Sequence, residues 1–335
     1  MVDIVPAVTA RKHTAHLTWE VLLTVILAGS LALGRLLSSV FLQTDNLSNI
    51  LLDITEISLM ALPMTFIIVT GEIDLSVASV LGASSALMGV LWHMGLPMPL
   101  VMVLVVVGGA MAGALNGWLV VRLELPSLAV TIGTLALFRG IAYVLLGDQA
   151  VADFPASYTA FGMNTLGATF IPQPFAIVIV GAALFGIVLH ATPFGRSLYA
   201  IGANSSAARF SGIDVGKAKL RLFVLSGLVS AIAGIIFTLR FTSARGDNGE
   251  GFELAVIAAV LFGGVSIFGG RGSLYGVLLS LLIVGVLRNA LTLVDVSSET
   301  LTIVTGLLLL SSVLIPNLVA GWRARRDKRL VAARR

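Results

Sequence analysis

Asp53 and Glu56 stand three residues apart inside an otherwise apolar run, and Arg139 and Arg288 interrupt two other such runs. An ionisable group surrounded by apolar sequence is costly unless it faces a partner or a wet cavity, so these four carry the first candidate chemistry. Their spacing puts Asp53 and Glu56 on one face of a helix, where an arginine from another run can neutralise one of them or both can line a polar path. Glu72 and Asp74 sit in the short stretch Gly71-Glu72-Ile73-Asp74 between two apolar runs. Such carboxylates can hold a proton or sodium ion, cap a helix, or latch one conformation. Amides and aromatic faces recognise hydroxyl-rich ligands, and Asn116, Trp118, Phe138, Tyr143 and Asn289 supply them.

Other chemistry is excluded. The chain has no cysteine, which removes disulfides, thiolate metal sites and thiol nucleophiles. Its four histidines, His13, His16, His93 and His190, are scattered over separate segments and form no catalytic or metal-binding set with carboxylates. The glycine-rich stretch from Gly263 to Ser273 lacks the Gly-Lys-Ser/Thr ending of a phosphate-binding loop. The chain is therefore expected to bind no ATP, and no cofactor motif appears in it.

The elements that position these residues are apolar helices. Hydrophobic residues make up 57% of the chain and charged ones 11%, a composition that a bilayer-embedded bundle requires and a soluble surface does not sustain. Ten stretches read as membrane-spanning helices, near 17–40, 50–70, 75–94, 99–121, 127–146, 174–191, 221–241, 254–270, 274–293 and 300–320. Each is close to the about 17–25 residues that cross the hydrocarbon, and the first is too long for a signal-peptide core. The predicted fold is an all-α polytopic membrane protein.

Lysine and arginine concentrate in alternate gaps. Arg11, Lys12, Arg122, Arg196, Arg209, Lys217, Lys219, Arg221, Arg271 and the basic tail fall on one side, and Arg245 falls on the other. The positive-inside bias then places both termini in the cytoplasm, with 1–16 a cytoplasmic segment, 17–320 the membrane domain and 321–335 a basic tail. The net charge of +4 follows from these edges and speaks for membrane orientation and anionic lipid, with no support for nucleic acid.

Gly108, Gly109, Gly113 and Gly117, interspersed with alanines, form a small-residue face on the fourth stretch, which predicts close helix packing. Two connections are long. The external one, 147–173, lacks Lys and Arg and reads as a connector or as a docking surface for an outside partner. The cytoplasmic one, 192–220, holds a short amphipathic helix around Asn204–Ser211, with Ser205 as its cap and Gly212 as its stop. That helix either seats in a groove of a soluble subunit or rests on anionic lipid. Gly71 permits a sharp reversal, and Asp74 with Ser76 is positioned to cap the helix that follows.

Within 192–220, the run from Gly195 to Ile213 (GRSLYAIGANSSAARFSGI) resembles the coupling-loop signature of the ribose-type sugar permeases of binding-protein-dependent ABC importers. Three further motifs agree in order and spacing: TGEIDLSV from Thr70, TIGTLALFRG from Thr131, and AAVLFGGVSIFGGRGS from Ala258 to Ser273. The resemblance covers about residues 50 to 320. It implies a permease subunit that moves a monosaccharide or autoinducer 2 across the inner membrane of a bacterium. The implied partners are cytoplasmic ATP-binding subunits that use ATP and Mg, an extracytoplasmic sugar-binding protein, and a second permease chain, identical or paralogous.

The same resemblance assigns the ATPase-coupling loop to Gly195, Arg196, Gly202, Asn204, Ala207, Ala208, Arg209 and Gly212. Pathway or gate residues are sought among Asp53, Glu56, Glu72, Asp74, Asn116, Phe138, Arg139 and Asn289. The family's usual Gly-Gly-Ile-Asp is Gly71-Glu72-Ile73-Asp74 here, and the extra carboxylate leans the substrate towards a deoxyhexose such as rhamnose. An ion-coupled secondary carrier, with Asp53, Glu56 or Glu72 binding the ion, is the alternative from another class.

Overall fold

A computed structural model describes residues 10–297 together with 300, 301, 303, 306 and 307, with side chains described from residue 19 onward. The chain forms thirteen helices over residues 10–297: α1 (Ala10–Leu37), α2 (Thr44–Asp53), α3 (Thr55–Val69), α4 (Val77–His93), α5 (Met98–Arg122), α6 (Ser127–Leu146), α7 (Ala156–Met163), α8 (Gln173–Ala191), α9 (Pro193–Ala203), α10 (Ser205–Phe210), α11 (Val215–Phe241), α12 (Phe252–Phe262) and α13 (Leu274–Thr292). Among the described residues the only strand-like pairings are two isolated bridges, Val151 with Ala244 and Thr165 with Pro172.

The protein is an all-helical, polytopic membrane protein. Among the described residues six helices are long and apolar enough to cross a bilayer: Trp19–Leu37, Met98–Arg122, Ser127–Leu146, Gln173–Ala191, Val215–Phe241 and Leu274–Thr292. The second expected stretch is a broken one, α2 and α3 meeting at a 44° bend. The third, α4, has 17 residues, and the eighth is shorter than the sequence suggested, α12 ending after 11 residues. Beyond it the backbone takes positive φ at Gly264, Gly269, Gly270 and Gly272, conformations that close a helix and favour glycine. The tenth stretch, 300–320, lies for the most part outside the described residues, as does the basic tail.

α11 is the hub of the bundle. Of its apolar window 72% is buried, against 17% for α8, so α8 turns most of its surface outward while α11 is enclosed by α3, α4, α5 and α7. Exposed Val103, Val107 and Met111 on α5 and Val180, Leu184 and Ile187 on α8 form the apolar exterior that a bilayer covers.

The small-residue face of α5 packs on α11. A Cβ on Gly113 would lie 2.1 Å from the Phe223 carbonyl oxygen, and one on Gly227 would lie 2.1 Å from that of Gly109. The two backbones touch, which larger residues prohibit. Gly108 stands apart from this seam, facing the Leu87 side chain at 3.3 Å.

Candidate functional site

At one face of the bundle α9 and α10 form a hairpin outside the long helices. Thr192 caps α9, its Oγ1 accepting from the Gly195 N–H at 3.2 Å. Asn204 caps α10, its Oδ1 accepting from the Ala207 N–H at 2.9 Å, so the cap falls one residue before the expected Ser205. Gly212 ends the hairpin with φ at 85°. Asp214 then caps α11, accepting from the Lys217 N–H at 3.0 Å, and this bond holds its carboxyl below the usual range.

The hairpin's glycines are places where backbones touch. A Cβ on Gly195 would lie 2.0 Å from the Leu189 carbonyl oxygen, and one on Gly202 would lie 1.9 Å from that of Val69, the last residue of α3. Ala208 is buried, while Arg196, Ala207 and Arg209 are exposed. Phe210, at the end of α10, is 94% exposed. A cleft of about 620 Å³ opens beside it, lined by Glu72, Glu124, Ser205, Arg209, Phe210 and Lys219.

The glycine-rich loop that follows α12 is the seat of α9. Gly270 N–H donates to the Val69 carbonyl at 2.8 Å, and the Tyr199 hydroxyl donates to the Gly272 carbonyl at 2.8 Å. Burial pushes the Tyr199 phenol up to about 12. Sequence reasoning rejected this loop as a phosphate cradle and missed its part in seating the hairpin. The sequence signal is the recurrence of glycine at 263, 264, 269, 270 and 272, and the structure holds four of these at positive φ in a tight, close-packed turn.

One residue beyond Val69 the chain reaches the turn that carries Glu72 and Asp74. Gly71 has φ at 82°, as the reversal requires. Glu72 forms an ion pair with Lys219 near the start of α11. Asp74 places an acceptor at the head of α4 as expected, on the N–H of Ser76, the residue that precedes the helix, and it also reaches α11. Its Oδ1 accepts from the Ser76 N–H at 3.0 Å and the Ser76 hydroxyl at 2.6 Å, and its Oδ2 accepts from the Ser226 hydroxyl of α11 at 2.8 Å. Asn116 of α5 donates to Ser76 Oγ at 2.8 Å, Ser127 of α6 accepts from the Ile73 N–H at 3.2 Å, and Thr131 donates to the Ile73 carbonyl at 3.3 Å. Three helices thus grip one turn, and Asp74 and Asn116 are buried within it. Asn116 Oδ1 has no hydrogen-bond partner among the described residues.

The remaining candidates lie elsewhere. Asp53 and Glu56 do share a face, and their arginine is Arg240 of α11, which sequence reasoning left unnamed because it closes an apolar run. Arg240 pairs with Asp53, donates to Glu56 Oε2 at 3.2 Å and donates to the Leu52 carbonyl at 2.8 Å. It therefore satisfies a backbone carbonyl beside the bend between α2 and α3, where helix bonding is interrupted. Arg139 has carbonyl partners: it donates to Gly246, Asn248 and Ala78, tying α6 and α4 to the 242–251 loop. Asn289 exchanges two hydrogen bonds with Asn46, at 2.9 and 3.0 Å, and joins α13 to α2. Phe138 is buried, and Arg288, expected to be enclosed, is exposed. Among the described residues no group of His, Cys, Asp and Glu could hold a metal.

A bundle with an apolar exterior and a two-helix hairpin seated at one end of its long helices fits a polytopic membrane protein. The sequence model of the family described as branched-chain amino acid transport system / permease component matches residues 46–313. The autoinducer 2 import system permease protein LsrD of Yersinia enterocolitica is 34% identical over 325 residues, covering 93% of this chain and 98% of that one. The ribose import permease protein RbsC of Bacillus subtilis is 38% identical over 283 residues, covering 84% and 87%. No solved structure matches. The chain belongs to the ribose-type and autoinducer 2 branch of the ABC importer permeases and is a multi-pass protein of the inner membrane.

Proposed function

We propose that this chain is the membrane-spanning half of an importer for a monosaccharide or for autoinducer 2, driven by ATP that separate cytoplasmic subunits hydrolyse with Mg. The observation that carries the reading is the α9–α10 hairpin: a bare Phe210 beside an exposed Arg209 and a mixed-charge cleft, seated on glycine contacts against α3. An ATPase that grips this hairpin in one conformation better than in another can drive the bundle between states. The seat on Gly270 and Val69, the gripped turn at Asp74 and the Glu72–Lys219 pair form a contiguous packed route from hairpin to hub.

The reading includes ten spans with both termini in the cytoplasm, so that 17–320 form the permease domain, 192–220 the coupling loop and 147–173 an external loop. Partners are an extracytoplasmic binding protein and a second permease chain, identical or paralogous. The LsrD and RbsC relatives support autoinducer 2 and ribose as the first substrates to examine, and they lend no particular weight to rhamnose. Pairing of Asp53, Glu56 and Glu72 with Arg240 and Lys219 weighs against an ion-coupled carrier, which needs carboxylates free to load an ion. Arg209→Glu is expected to leave the complex assembled while separating ATP hydrolysis from uptake. Wild-type coupling in that variant would remove Arg209 from the account.

A further inference from the structure

At the end of the bundle away from the α9–α10 hairpin lies a cavity of about 550 Å³. Its α11 wall, between Ile232 and Leu239, stands about 26–36 Å along that helix from the hairpin end, at about 1.5 Å per residue. α5 runs antiparallel to α11 and lines the cavity between Met102 and Val107, about 6–14 Å from its own start. α7 and α8 complete the wall, and the two hydroxyl-bearing side chains in it, Ser157 and Tyr158, both come from α7. α7 is held firmly against the hub, since a Cβ on Gly162 would lie 2.7 Å from the Arg240 backbone of α11.

Val103, Val107 and Ile177 belong both to the lining and to the exposed apolar exterior, while Ile235, Ile236 and Leu239 are buried. The cavity is therefore continuous with the surface that the bilayer covers. Walls as apolar as these do not hold water, and walls left without neighbours lose their dispersion contacts outright. Both effects favour an apolar filler, and hydrocarbon chains are what the bilayer presents at this exterior. We propose that the cavity is a lipid site, in which one acyl chain of a phospholipid packs against α5 and α11 from the leaflet at the end opposite the hairpin. The Ser157 and Tyr158 hydroxyls are donors suited to the ester carbonyls above such a chain. The connection 147–173 that carries α7 has no Lys or Arg with which to select an anionic headgroup, so the site reads the tail. The assignment rests on the chain's place in the membrane and stands apart from the transport role proposed above.

The complete transporter is reconstituted into vesicles of phosphatidylethanolamine and phosphatidylglycerol, doped with a phosphatidylethanolamine that carries a diazirine on its acyl chain. After illumination the adducts are mapped by peptide mass spectrometry. Adducts are expected on buried Ile235 and Ile236 of α11 as well as on exposed Leu184 of α8, which meets bulk lipid. Val106→Phe narrows the cavity, and Val103→Trp, at an exposed position where bulk does not disturb the fold, obstructs its opening. Each is expected to lower the α11 adducts at least about fivefold while leaving those at Leu184 unchanged. Wild-type adducts at Leu184 with none on α11 would overturn the site, and so would α11 adducts undiminished in whichever variant reaches the vesicles. The same probe with a phosphatidylglycerol headgroup is expected to label α11 equally; labelling by that probe alone would overturn recognition through the tail.

Discussion

Among the described residues Glu56 pairs with one cation, Arg240, and its burial makes that cation indispensable. With Arg240 replaced by leucine, a carboxylate that is 1% exposed loses the one side-chain donor it has among the described residues, and the bend at Leu52 loses a capping bond. Removing one partner of such a pair costs about 3–5 kcal/mol, whereas replacing both by neutral groups costs far less. Arg240→Leu is therefore expected to abolish a stable fold in detergent, and Arg240→Leu with Glu56→Gln to recover most of the thermal midpoint. Equal loss in the single and double variants would show that packing of the arginine, rather than its charge, holds the bend. The sequence made half of this legible: the i,i+3 spacing revealed the shared face of Asp53 and Glu56, and the need for an arginine followed from charge burial. The partner's identity did not, because Arg240 ends a long apolar run and nothing local marks it as turned inward.

The seam of α5 and α11 sets the sharpest test among the elements. A methyl on Gly113 would meet the Phe223 carbonyl oxygen at 2.1 Å, rigid backbone that cannot yield, whereas a methyl on Gly108 meets a flexible leucine end at 3.3 Å. Overpacking of a tight interior costs about 1–3 kcal/mol, so Gly113→Ala is expected to lower the thermal midpoint clearly and Gly108→Ala to leave it nearly unchanged. Equal effects would refute the close approach. The four-residue spacing of those glycines was enough to predict a packed face, but only three-dimensional contact separates Gly108 from the rest. Helix ends were less legible than helix faces. The run 254–270 is apolar apart from Ser266 and its glycines, which membrane helices tolerate, and the stop arises where glycines take positive φ. α9 is hard to read from sequence because its 11 residues hold two glycines and open on a proline, a composition that also suits a connection. The cap at Asn204 was missed by one residue, since serine and asparagine both suit that position.

At the scale of the whole molecule, the α9–α10 hairpin, the gripped turn at Asp74 and the buried hub α11 form one contiguous packed path, and the proposed function has it driven by separate ATPase subunits. Family membership is secured by the match over residues 46–313 and by relatives that align over nearly the full length. The motif order along the chain carried this at the level of sequence, while a lean towards deoxyhexose, resting on Glu72 alone, acquires a simpler reading now that Glu72 pairs with Lys219. The energy source is the claim on which the rest depends, and it is decided by one measurement. Uptake of labelled ribose and autoinducer 2 is followed in cells with and without this gene, with either ATP depleted or the proton gradient collapsed while ATP is maintained. The account predicts gene-dependent uptake of one of them that stops on ATP depletion and survives loss of the gradient; uptake that stops with the gradient while ATP is maintained would contradict it.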